Sequence, residues 1–209
     1  PRVRRQRQMC IRDRFIADEV QPGFARTGQA FFGFARHGIV PDMITMGKPM
    51  GNGIPISGLA AKEDVLAAFS DKLPYFNTFG GNPVSIAAAQ AVLKYIKDEN
   101  LQEHCKKAGA ALLKALKEVQ KRHPESVGDV RGAGLFLGFE FVKNDGNKTP
   151  DKDMALNVIE MLRDEHILTS VIGHYGNILK LRPPMVFSEN DIDWFATSLD
   201  KCITKLENK

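Results

Sequence analysis

Apolar residues recur at three- and four-residue steps in two long stretches, VSIAAAQAVLKYIKDEN and LQEHCKKAGAALLKALKEVQKRH. This spacing predicts consecutive helices over 84–100 and 101–123, the second stopped by Pro124. The step then shortens to two. VGDVRGAGLFLGFEFVK alternates as a strand or a hairpin with a glycine turn, and ILTSVIG and NILKLRPP read as short strands. DKDMALNVIEMLRDEH and SENDIDWFATSLDKCITKLEN return to helical spacing, the latter with Ser188 as its N-cap. The last hundred residues therefore predict an α+β unit.

The first hundred residues have a different texture. FIADEV (Phe15 to Val20) reads as the end of a buried strand, and Met43 to Met46 as a short apolar stretch. IPISGLAA reads as another buried strand and KEDVLAAFSD as a capped amphipathic helix. Between the first two lies QPGFARTGQAFFGFARHGIVPD, a glycine-punctuated loop with a short aromatic helical segment. The order strand, loop, helix, strand predicts an α/β layer.

Composition changes this picture little. The 209 residues are 43% apolar and 26% charged, which is ordinary for globular chains. No apolar run approaches the roughly 18 residues of a membrane-spanning helix, so no membrane partner is expected. Three dispersed cysteines fit a reduced, cytoplasmic setting, and neither they nor the five histidines stand at metal-ligand spacing, so no metal is expected. The net charge of +4 is local. Residues 1–14, PRVRRQRQMCIRDR, hold six arginines and one aspartate, whereas the other 195 residues carry 23 Lys and Arg against 24 Asp and Glu. The string MCIRDR resembles translated sequencing-adaptor read-through, so residues 1–14 are expected to be foreign and the protein's own sequence to begin mid-protein. A basic nucleic-acid arm is the competing reading, and no nucleic-acid partner is expected without it.

Chemistry concentrates on two residues. Lys48, in MGKPMGNGIP, fails the phosphate-loop pattern, which needs GxxxxGK followed by Ser or Thr. Asp18, at the end of FIADEV, is a carboxylate at the C-terminal end of an α/β strand, where such sheets bind ligands. Strand alternation predicts Asp18 and Val20 on one face and Glu19 on the other. An aspartate able to hold a pyridinium nitrogen and a lysine able to form a Schiff base are the groups pyridoxal phosphate requires.

With those residues in view, DEVQPGFARTG, PDMITMGKPMGNGIPI, FNTFGGNP, VRGAGLFLGFEF and LKLRPPMVFSENDID resemble, in order, the C-terminal half of class III pyridoxal-phosphate-dependent aminotransferases. Within that family the likeness is to the branch holding alanine–glyoxylate aminotransferase 2 and the ethanolamine-phosphate and phosphohydroxylysine phospho-lyases. The resemblance implies an α/β fold: residues 15–105 as the last part of an aspartate aminotransferase-like large domain with its connecting helix, and 106–209 as a small α+β domain. It implies Lys48 as the Schiff-base lysine and proton shuttle, Asp18 on the pyridine nitrogen, Val20 against the ring face and Gln21 near the phenolic oxygen. Thr78 would reach the cofactor phosphate of a second subunit, making a homodimer, and Arg182 would pair with a substrate carboxylate. Arg131, Gly132 and Gly134 are read as hairpin structure.

The implied reaction is transamination from an amine or amino acid to a 2-oxo acid. Elimination of phosphate from an amino-alcohol phosphate is the alternative. The family's upstream half supplies a phosphate loop, an aromatic stacking residue and a glutamate that this sequence lacks. Weak or no cofactor binding by the isolated chain is therefore expected, and the compartment is expected to be the cytoplasm, with the mitochondrion as alternative.

Overall fold

The computed structural model describes residues 13–208, and all but the last two residues of the basic segment lie outside that range. The chain is mixed α/β and divides into two compact units, one up to Gln102 and one from Glu103.

In the first unit, β1 (Ile16–Asp18) pairs in parallel with β2 (Met43–Met46), which pairs antiparallel with β3 (Gly58–Ala61). Helices α1 (Glu63–Ser70) and α2 (Pro83–Asp98) follow. The strands are shorter and more open than the sequence predicts. β1 stops at Asp18 because the chain turns at Val20, and both Ile16 and Leu59 are more than half exposed. No side-chain cap starts α1, whose N-cap position is Lys62, whereas Asn82 caps α2 by accepting from the Ser85 N–H at 3.0 Å.

The second unit has a closed interior. Helix α3 (Leu101–Arg122), α4 (Lys152–Asp164) and α5 (Glu189–Glu207) accompany an antiparallel sheet of order β4 (Val127–Ala133), β5 (Phe136–Phe141), β7 (Ile178–Leu181) and β6 (Val171–Ile172). β5 alternates as a half-buried strand should, with Leu137, Phe139 and Phe141 inward against Leu112, Leu116, Val158 and Leu199. The Ser188 expectation holds and extends to a reciprocal box: the Ser188 hydroxyl oxygen accepts from the Asp191 N–H, and the Ser188 N–H donates to the Asp191 carboxylate at 2.8 Å. Among the described residues no helix is long and apolar enough to cross a membrane.

Candidate active site

Parallel pairing places the carboxyl ends of β1 and β2 side by side, with Asp18 opposite Thr45 and the Glu19 N–H donating to the Thr45 carbonyl at 2.9 Å. Asp18 ends β1. Lys48 stands two residues beyond β2, so the two sequence-predicted groups emerge from one edge of one sheet. That edge is where open α/β sheets bind ligands.

The lysine segment is a tight 3₁₀ turn, Lys48–Met50, closed by the Met50 N–H donating to the Gly47 carbonyl at 2.9 Å. Pro49 suits the first turn of a helix, since a missing N–H costs nothing there. Gly51 has a steric reason: a Cβ on it would stand 2.1 Å from the Ile54 carbonyl oxygen. Lys48 itself is exposed, and its amine has no ion pair or hydrogen bond among the described residues. Gly47 is buried beside Val20, and a Cβ on it would make ordinary contacts, 3.9 Å from both Val20 methyls and 4.0 Å from the Ser57 Cβ.

The aspartate is also only half engaged. Asp18 Oδ1 accepts from the Val20 N–H at 3.0 Å, and Oδ2 has no partner among the described residues. Asp18 is exposed, not buried, and the buried acid of this strand end is Glu19, 2% exposed. Both Glu19 oxygens are taken: Oε2 accepts from the Gly33 N–H at 2.7 Å and Oε1 from the Phe34 N–H at 2.8 Å. Val20 and Gln21, half-buried, lie in the turn after β1 rather than within a strand.

A free amine, a carboxylate with one open oxygen and a half-buried valine make a set of groups that fits pyridoxal phosphate.

Thr78 lies exposed in the turn before α2, which Asn77 fastens by accepting from the Phe79 and Gly80 N–H groups at 3.1 and 3.0 Å. That helix start is tied to the lysine loop, because the Ser85 hydroxyl donates to the Pro55 carbonyl at 3.1 Å and α2 also touches the Lys48–Met50 turn. A cavity of about 620 Å³ lies between these parts, lined by Thr45, Ser57, Asn77 and Gly81 among others.

Arg182 belongs to the second unit, just past β7. It opens into a cavity of about 520 Å³ with Lys180, Thr169 and Trp194. Its guanidinium carbon stands 5.7 Å from the centre of the Phe136 ring, and partial burial pushes its pKa down. No carboxylate pairs with it among the described residues, so it presents an unneutralised cation able to take an anionic group. Arg131, by contrast, is committed to Asp129 and Glu140 across the β4–β5 hairpin.

Two residues of this region escape a sequence reading. Glu19 escapes because its partners are fourteen and fifteen residues away. Thr27 escapes because nothing in ARTG marks its hydroxyl oxygen, which is buried with no hydrogen-bond partner among the described residues.

Comparison with known proteins bears on the whole span. The model of the family described as Aminotransferase class-III matches residues 4–203. Ethanolamine-phosphate phospho-lyase homolog 1 of Caenorhabditis elegans is 45% identical over 90% of this chain and 41% of its own length. The mitochondrial alanine–glyoxylate aminotransferase 2 homolog 2 of Arabidopsis thaliana is 40% identical over 92% of this chain and 40% of its own. Among solved structures, an Arthrobacter phospholyase in complex with phosphoethanolamine superposes with a TM-score of 0.87 at 39% identity, over 90% of this chain and 44% of that one. The chain thus spans about two fifths of the length of the curated relatives it matches.

Proposed function

The chain belongs to the class-III aminotransferase family, and from that premise we propose that it serves pyridoxal-phosphate-dependent transamination, moving an amino group from an amine or amino acid to a 2-oxo acid. The observation that carries this reading is the pairing of an unpartnered Lys48 amine with a half-free Asp18 carboxylate at one edge of a parallel strand pair. When bound, the cofactor supplies a carbonyl for amino groups and a ring that withdraws electrons.

The side chains have separable tasks. Asp18 Oδ2 holds the proton on the ring nitrogen. The Lys48 amine would hold the cofactor covalently and, when free, would carry a proton to and from the substrate's α carbon. Val20, packed beside Gly47, would cover one ring face, and Gln21 would serve the ring's phenolic oxygen. Thr78 reaches the cofactor phosphate of a second subunit in a homodimer. Arg182 takes the substrate's anionic group, a task for which its lack of a carboxylate partner leaves it free. The cytoplasm is the proposed location, and the mitochondrial name of the Arabidopsis relative is a reason to test both by fractionation.

The phospho-lyase names of the Caenorhabditis relative and the Arthrobacter structure favour a second reading, elimination of phosphate from an amino-alcohol phosphate. The same proton removal by Lys48 would start it, and a guanidinium such as Arg182 binds phosphate as well as carboxylate. One assay separates the two. Transamination requires a 2-oxo acid acceptor and yields its amino acid; phosphate and aldehyde released from phosphoethanolamine without any acceptor would replace it with elimination.

A further inference from the structure

Glu19 is the least expected group in the first unit, a carboxylate buried to 2% exposure with no ion pair among the described residues. Such burial is costly unless each oxygen is satisfied, and here backbone N–H groups satisfy both: Gly33 at 2.7 Å and Phe34 at 2.8 Å. Only a carboxylate offers two separate acceptor oxygens, one for each of these two successive N–H groups. A glutamine would turn an NH₂ donor toward one of them.

The main chain of Glu19 is fixed as firmly. Its N–H donates to the Thr45 carbonyl of β2 at 2.9 Å, and its carbonyl accepts from Gly23 at 3.2 Å. Space around it is tight: a Cβ at Gly23 would approach the Glu19 carbonyl oxygen to 2.6 Å, and one at Gly33 would approach the Pro22 Cβ to 2.7 Å.

The loop that Glu19 grips is strained. Phe24 and Ala25 adopt left-handed φ values of 59° and 65°, which side chains other than glycine seldom accept. Packing of the Phe24, Phe31 and Phe32 rings and the Ala25 N–H donating to the Phe31 carbonyl at 2.9 Å hold them there. A strained loop held at three places beside a candidate site is the pattern expected where geometry has to be preserved.

Glu19 sits between Asp18 and Val20, the two residues proposed to meet the cofactor ring. We infer that Glu19 is a positioning residue: its paired acceptance from Gly33 and Phe34 locks the turn after β1, and so aims the Asp18 carboxylate and the Val20 side chain. This rests on the proposed cofactor reading. It adds a residue that touches neither cofactor nor substrate but sets the direction of the one that holds the ring nitrogen.

The test uses the holoprotein with Glu19→Gln, Glu19→Asp and Asp18→Asn. Amide exchange at Gly33 and Phe34 should quicken in both Glu19 variants without cofactor, and affinity for added pyridoxal phosphate should fall about tenfold. The discriminating readout is the pH at which the bound cofactor's visible absorption band changes. Both Glu19 variants should move that midpoint in the direction that Asp18→Asn moves it, and by less. Glu19→Asp keeps the charge while losing reach, so it serves if Glu19→Gln does not fold. Faster exchange with an unmoved midpoint would make Glu19 a structural pin only and overturn the inference. A midpoint that Asp18→Asn shifts and the Glu19 variants do not would overturn it while leaving the cofactor reading standing. A wild-type holoprotein with no such band at saturating pyridoxal phosphate would overturn both.

Discussion

The two units of this chain solve opposite problems. The second encloses its apolar side chains, with Phe139, Phe141, Leu116 and Leu199 fully buried within one cluster. The first carries Asp18 and Lys48 and leaves Leu59, Tyr75, Phe76, Phe79 and Val84 in the open. One unit is held by its own core; the other is organised by polar pins such as Glu19, Asn77 and Asn82 around an open edge. Burial, the dominant stabilising term, is thus concentrated in the unit that does not carry Asp18 and Lys48. The exposed apolar surface of the first unit is of the kind that marks an association face.

The largest expected effect tests this contrast directly. Phe139→Ala should destabilise the second unit by about 4 kcal/mol in chemical denaturation. Phe76→Ala, at a position 85% exposed, should fall within about 0.5 kcal/mol of wild type. A similar loss at both positions would erase the distinction. Next in size is Gly109→Ala. A Cβ there would stand 2.2 Å from the Gly134 carbonyl carbon, so α3 and the β4–β5 turn would have to separate, at a cost of about 3 kcal/mol.

A smaller effect belongs to the reciprocal cap of α5, where Ser188→Ala should cost about 1 kcal/mol. The first unit predicts a change in behaviour more than in stability: the 209-residue chain on its own should self-associate and bind a hydrophobic dye. Replacing Phe76 and Phe79 by Ser should reduce both, as scattering and dye fluorescence would show.

The smallest effect is a pH dependence. The Lys62 ammonium and then the Phe15 N–H, hydrogen-bonded to Asp42, hold its carboxyl below the ordinary carboxylate range. A group whose folded pKa is depressed contributes stability that is complete above its unfolded pKa and lost as pH falls through the folded one. Asp42→Asn should therefore lower the melting temperature slightly at neutral pH, with the difference closing in strong acid.

The second unit was the more legible in sequence, for a physical reason. Its long helices and β5 bury one face each, so the 3.6 and 2 periods are written into the residues, and Ser188 and Pro124 mark local boundaries. The first unit's strands are three or four residues long and partly open, which leaves little period to read. Reading FIADEV as a buried strand therefore overextended β1, and nothing in that reading marked Glu19 as the buried acid. The candidate site was legible where chemistry is tied to residue type, at Lys48, Asp18 and Arg182. It was illegible where geometry depends on distant partners, as in the grip of Glu19 on Gly33 and Phe34.

The central claim is that Lys48 is the residue that joins the cofactor. Reducing the protein with borohydride in the presence of pyridoxal phosphate, followed by digestion and mass mapping, tests it most directly. The account predicts a phosphopyridoxyl group on the peptide containing Lys48, absent from Lys48→Ala. A label fixed on a different lysine, or one that survives Lys48→Ala unchanged, would contradict it.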